Sequence, residues 1–163
     1  MRDTIETLYR RHASAVFRFA WGLTGDRSEA EDIVSETFFR LLTKAPRVET
    51  RTALAYLLAI ARNCYISGLR RNRKRREVPL HGEMQAAERD PVGKLDEQSR
   101  MQNVLGALGS MPEGERSALL LRIDHDLSYE EIARALGISP GAVKVRIHRA
   151  RRRLAGAAQF QEQ

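Results

Sequence analysis

A chain of 163 residues has room for one ordinary domain or two small ones. Lys and Arg number 28 against 21 Asp and Glu, a net charge of +7 with a pI near 10.2, which favours a polyanionic partner, nucleic acid ahead of a membrane surface. A single cysteine excludes an internal disulfide and, with four dispersed histidines, speaks against a Cys/His metal site, while the absence of any apolar run of the ~18 residues a span needs and of a secretory pattern at Met1 leads to the expectation of a soluble, cytoplasmic protein without membrane insertion.

The elements follow in chain order. Ile5, Leu8, Tyr9, His12, Val16, Phe19, Ala20 and Leu23 repeat at helical spacing until Gly25. Asp26 with Glu29 signals a second N-terminus, and Ala30, Ile33, Val34, Thr37, Phe38, Leu41 and Leu42 form the next stripe, closed by Pro46. A third helix is expected from near Arg51, with Leu54, Leu57, Leu58, Ala61, Tyr65 and Leu69 on its inner side. It runs into Arg70–Arg76, where six of seven residues are cationic. Cys64 in this helix is read first as a small core residue and only second as a redox sensor. From Val78 to Gly93 the periodicity stops, and Pro79, Gly82, Pro91 and Gly93 punctuate a polar segment read as a linker. Pattern returns with Leu95, Met101, Val104, Leu105 and Leu108, and again after Pro112 with Ala118, Leu119 and Ile123. No strand pattern of useful length occurs. The expected fold is therefore all-α: two small helical domains, residues 1–77 and 95–163, joined by a flexible linker over 78–94.

The last stretch, LSYEEIARALGISPGAVKVRIHRARRRL from Leu127 to Leu154, is the most informative. Ser128 with Glu131 has capping-box spacing, Gly137 suits a left-handed C-terminal turn, and Ser139–Pro140 restart a helix. Val143, Ile147, Ala150 and Leu154 mark its buried side, and Lys144, Arg146, His148, Arg149, Arg151, Arg152 and Arg153 crowd the remainder. Such a pattern suits a helix-turn-helix whose second helix lies in a DNA major groove. Gly141, Lys144, Val145, His148 and Arg149, in its first turns, are best placed for base edges. An ordinary packed corner with a solvated cationic helix is the bland alternative.

Taken together, the segments resemble a bacterial RNA polymerase sigma factor of the extracytoplasmic-function (ECF) group of the sigma-70 family. The resemblance rests on GDRSEAEDIVSETFFRLL (Gly25 to Leu42), AYLLAIARNCYISGLRRNRKRR (Ala55 to Arg76) and MPEGERSALLLRIDHDLSYEEIARALGISPGAVKVRIHRARRRL (Met111 to Leu154). It implies a −10 domain (region 2) and a −35 domain (region 4). It implies that Ser139, Gly141, Lys144, Val145, Arg146, His148, Arg149 and Arg152 face the −35 duplex. The −10 strand would be met by Lys44, Arg47, Arg51, Arg62 and Asn63, and its backbone by Arg70, Arg71, Arg73 and Lys74. Asp32, Ser35, Glu36, Phe39 and Arg40 would dock on the polymerase core. Ser35 stands where the family often has glutamine, Tyr56 where tryptophan is common, and Ala59 where a basic residue is frequent. Implied partners are core polymerase, promoter DNA and an anti-sigma factor; no cofactor, metal or covalent catalysis is implied. Rival readings are a two-domain DNA-binding regulator that never joins polymerase, a sigma-like decoy that binds an anti-sigma protein, and, on charge alone, an RNA-binding adaptor.

Overall fold

The computed structural model describes residues 3–44, 53–76 and 95–159, with the side chains of 72–76, 95–96 and 157–159 excepted. Seven helices fill these residues: α1 (Ile5–Thr24), α2 (Arg27–Lys44), α3 (Ala53–Arg76), α4 (Leu95–Gly109), α5 (Glu113–Ile123), α6 (Tyr129–Leu136) and α7 (Pro140–Gln159). The positions read above as the second helix stop (Pro46), the third helix start (Arg51) and the linker lie outside the described residues.

Local chemistry sets the helix ends. Thr4 caps α1 by accepting the Thr7 amide, and Gly25 closes it at φ +69°, donating its own amide to Trp21 O at 2.8 Å. Asp26 accepts the Glu29 amide at 3.0 Å and so starts α2 at once, which fixes α1 and α2 as a tight helical hairpin. Val16, Phe19, Ala20 and Leu23 from α1, Ala30, Ile33 and Phe38 from α2, and Leu57, Leu58 and Ala61 from α3 form the first core. Each large apolar side chain there contributes roughly 1.5–3 kcal/mol by leaving water. Thr37 is wholly buried among them and donates its hydroxyl to Ile33 O, so its polarity is satisfied.

In the second half α5 and α6 pack on α7. Ala118, Leu121, Leu127, Ile132, Ala133, Leu136, Val143 and Ile147 interlock there, and this cluster is continuous with the first core because α6 packs on α3 and α5 on α1. A smaller cluster of Leu108, Met111, Leu119 and Ala150 ties the end of α4 to α5 and α7.

Six residues of the expected stripes are instead exposed: Tyr9, Leu42, Leu69, Met101, Val104 and Ile123. Tyr9 lies at the margin of its stripe, edge-on to the Phe38 ring at 4.9 Å. Leu42 and Ile123 fall in the last turns of their helices, past the neighbouring element. Met101 and Val104 sit on the first two thirds of α4, where every described side chain from Glu97 to Val104 is exposed. Helical periodicity names a face, but a partner helix must reach that face for burial to follow.

Candidate nucleic-acid interface

The turn between α6 and α7 is built as its spacing predicts. The Glu131 amide donates to Ser128 Oγ at 3.1 Å, and the Ser128 amide donates to the Glu131 carboxylate at 2.8 Å, a complete capping box. Gly137 turns the chain at φ +67°, where a side chain would be strained. Ser139 Oγ then accepts the Ala142 amide at 3.1 Å and caps α7. Val143, Ile147 and Ala150 anchor α7 inward. With those contacts fixing rotation, Ser139, Gly141, Lys144, Val145, His148, Arg149 and Arg152 are all exposed on the outer side. The N-terminal amides that α7 leaves unpaired add a positive field at the same end.

Two arginines on α7 behave differently from the others. Arg146 is half-buried and lies over Gly114; a Cβ there would fall 2.7 Å from its guanidinium. Arg153 pairs with the buried Glu115 at 2.7 Å. Both fasten α7 to α5. Tyr129 was not singled out from sequence, yet the Lys144 ammonium lies 5.6 Å from its ring centroid and the Arg122 guanidinium 4.8 Å. The ring face steers Lys144 along the α7 surface.

In the N-terminal half, Asn63, Arg70 and Arg71 on α3 and Lys44 at the end of α2 are exposed. Arg73 and Lys74 continue the helical backbone of α3, while Arg47 and Arg51 lie outside the described residues. Arg62 is the exception. Its side chain is only 14% exposed and makes a two-pronged pair with Glu113, Nε to Oε1 at 2.7 Å and a terminal nitrogen to Oε2 at 3.1 Å. Ser117 donates to the same carboxylate at 2.7 Å. Burial alone would push the Glu113 carboxyl up, but the hydrogen bonds from Arg62 and Ser117 and the charges of Arg62 and Arg146 bring it below its ordinary value.

On α2, Asp32, Ser35 and Phe39 are exposed, Phe39 at 60%. Glu36 and Arg40 are spent partly on each other, at 2.8 Å across one helical turn. Leu42, one turn beyond Phe39, enlarges the apolar strip. On one side of α2 a groove is lined by Tyr9, Ala13, Phe17, Val34 and Ser35. On the other, toward α3, is a cleft of ≈ 360 Å³ with Glu29, Asp32, Glu36, Arg71 and Cys64 on its walls. The Cys64 thiol is raised above its ordinary value, first by burial. Among the described residues no group of three or more His, Cys, Asp or Glu side chains could hold a metal ion, and no helix is long and apolar enough to cross a membrane.

Sequence reasoning missed the residues that join the halves. Arg116, in the first turns of α5, is 8% exposed, and its guanidinium donates to Leu23 O at the end of α1, to Tyr65 Oη on α3 at 3.0 Å and to Met111 O at 2.9 Å. The only hint was that the apolar pattern of α5 begins at Ala118 although Glu115, Arg116 and Ser117 are equally buried.

Comparisons with known proteins agree with this geometry. The family description "Sigma-70 region 2" matches residues 8–75, and "Sigma-70, region 4" matches 101–154. The ECF RNA polymerase sigma factor SigM of Bacillus subtilis is 30% identical over 157 residues, covering 93% of this chain and 93% of that protein. SigL of Mycobacterium tuberculosis is 32% identical, covering 92% and 86%. SigE of Mycolicibacterium smegmatis is 34% identical over 91% of this chain, which spans 59% of that longer protein. Among solved structures, the sigma factor RpoE of Bartonella quintana, crystallised with the anti-sigma factor NepR, superposes with a TM-score of 0.77 at 28% identity, covering 94% of this chain and 96% of that one. CnrH, in complex with the cytosolic domain of CnrY, shares the fold at a TM-score of 0.70 and 22% identity. With region 2 and region 4 matched in this order over most of its length and ECF sigma factors 30–34% identical to it, the chain belongs to the ECF group of the sigma-70 family of RNA polymerase sigma factors.

Proposed function

We propose that the chain is a promoter-recognition subunit that binds RNA polymerase core, places α7 in the major groove of the −35 element and holds the opened −10 strand with α3. The observation that carries this reading is the open cationic face of α7, positioned by a complete capping box, in the same chain as an acidic and aromatic face on α2. On α7, Lys144, His148 and Arg149 face base edges, with Val145 available for a thymine methyl, while Ser139, Gly141 and Arg152 meet phosphates. Arg146 supports the helix from behind and reaches DNA only after leaving Gly114. On α3, Asn63 offers both donor and acceptor to an unstacked base, and Arg62, Arg70, Arg71, Arg73 and Lys74, with Lys44, Arg47 and Arg51 before them, neutralise the backbone.

Asp32, Ser35, Glu36, Phe39 and Arg40 form the docking face for core, Phe39 as its apolar anchor. The chain acts by binding alone, without covalent chemistry, and works in the cytoplasm beside polymerase and chromosomal DNA. An anti-sigma protein is the partner expected to restrain it, as NepR is found with RpoE. Reconstitution with purified core on templates bearing intact or scrambled −35 and −10 elements tests the reading. Initiation that depends on both the chain and the intact elements is expected. A chain that retards duplex DNA yet neither co-elutes with core nor starts transcripts would be a stand-alone regulator instead.

A further inference from the structure

The cations of α7 are divided between two jobs by the way that helix sits on α5. Arg146 and Arg153 stand seven residues apart, which puts them on nearly the same face of α7 and about 10 Å apart along its axis. Arg146 lies over Gly114, where only the missing side chain leaves room: a Cβ would fall 2.7 Å from its terminal nitrogen and 3.0 Å from the guanidinium carbon. Arg153 Nε donates to Glu115 Oε2 at 2.7 Å, and the Glu115 side chain is only 10% exposed. Between the two arginines Ala150 is wholly buried in the cluster it forms with Leu108, Met111 and Leu119. The two seats are successive residues of α5, about 1.5 Å apart along its axis. α7 is therefore held at two points far apart on itself and close together on α5, and a swing of α7 about Ala150 has to lift one guanidinium from its seat. Lys144 and His148 lie on the other side of α7, about 160° round the helix from Arg146, and are exposed.

We propose that Arg146 and Arg153 are positioning residues for −35 recognition: the Gly114 seat and the Glu115 pair set the tilt at which α7 enters the major groove, and through it the discrimination between base sequences. The proposal rests on the reading of α7 as the −35 helix. A swing of about 10° around Ala150 moves Lys144, six residues away, by about 1.5 Å. A base-edge hydrogen bond tolerates far less, since donor and acceptor must stay within about 2.7–3.2 Å of each other. Phosphate contacts survive such a shift better, because they depend on charge along the backbone and carry no base sequence. Loosening the clamp therefore costs discrimination before it costs affinity. Neither arginine has to touch DNA for this. A phosphate that drew Arg153 away would strand the buried Glu115 carboxylate without its partner.

Two substitutions loosen one seat each without removing a cation. Glu115→Met keeps the side-chain length and takes away the acceptor, leaving Arg153 charged and free. Gly114→Ala pushes the Arg146 guanidinium from its seat and, at a helical position, favours the backbone of α5. Arg152→Gln removes one exposed cation and is the contrast. Each full-length chain is reconstituted with core polymerase, and occupancy of templates with an intact or a scrambled −35 element is measured at one salt concentration. E115M and G114A should each lower the intact-to-scrambled ratio about tenfold, the worth of one base-edge contact, while occupancy of the scrambled template holds. R152Q should lower both occupancies and leave the ratio. A wild-type ratio in either E115M or G114A overturns the proposal, as does an equal loss of ratio in R152Q. A wild-type chain that prefers the intact element, with both variants keeping that preference, removes only the clamp. A wild-type chain with no such preference removes the reading of α7, and the clamp with it.

Discussion

Arg116 offers the sharpest test of how the two halves are held. Its guanidinium is buried with no carboxylate at hydrogen-bond distance among the described residues, and its three described partners are the Leu23 and Met111 carbonyls and the Tyr65 hydroxyl. Hydrogen bonds from a charged donor contribute about 1.5–3 kcal/mol each, so three amount to at least ~4.5 kcal/mol gross. Against this stands the cost of keeping a guanidinium out of water, several kcal/mol even after relaxation. Arg116→Ala removes both and leaves a cavity, and a net loss of about 3 kcal/mol is expected. Arg116→Met fills most of the space without donors and should cost about 1–2 kcal/mol. For a chain of this size each kcal/mol lowers Tm by roughly 2–4 °C, so the alanine variant should melt about 6–12 °C lower. Because Arg116 binds α1 and α3 from α5, the loss should fall on the contact between halves. The melting curve should then split into two transitions, and the radius of gyration should rise before either unit unfolds. Calorimetry with scattering at matched temperatures measures both. A methionine variant as stable and as compact as the wild type would refute the reasoning, since desolvation would then cancel the bonds and the guanidinium would fasten nothing.

Other expectations concern the two binding faces and one histidine. Lys144→Ala and Arg149→Ala should each weaken −35-dependent initiation by about 1–3 kcal/mol, five- to a hundredfold or more, read as promoter occupancy on intact elements; equal loss on scrambled elements would reassign them to phosphate contacts. Asp32→Arg with Glu36→Arg should impair co-elution with core while circular dichroism stays helical, because the half-buried Glu36–Arg40 pair lost within the fold is worth only about 0.3–0.5 kcal/mol; undiminished co-elution would reject that face. His125 is held below its ordinary value near 6.5, first by burial and then by the Arg18 charge, with Asp124 opposing. The unfolded chain therefore binds the proton more readily, and stability present above about pH 6.5 should fall as pH drops from there toward the lower folded value. His12 is also lowered, so the comparison is with His125→Gln, which should remove part of the slope in denaturant midpoint between pH 7 and 5; an unchanged slope would exclude His125 as a source.

The limits of the sequence follow from the range of each interaction. The caps at Ser128, Gly137 and Ser139 join residues three or four apart, so their types at that spacing already encode the turn, and the structure reproduces it bond for bond. The exposed faces of α7 and α2 follow from periodicity in the same way. Burial of Tyr9, Met101 or Val104 depends on whether another helix arrives, which local pattern does not encode, and these residues stayed in solvent. Arg62 is a related case. Its residue type and its place beside Asn63 on a basic helix say nothing of the carboxylate it pairs with, which lies 51 residues away on α5.

The Arg62–Glu113 pair also helps to hold the two halves together. A guanidinium is costly to leave buried and unpaired, so the packing of α5 on α3 requires an anion beside Arg62. Glu113 supplies it from the first turn of α5, where the helix dipole also favours a carboxylate. Loss of the pairing should therefore loosen the contact between α5 and α3. Glu113→Gln should accordingly lower Tm while circular dichroism stays helical, and an unchanged Tm would show that the pair adds nothing to the packing.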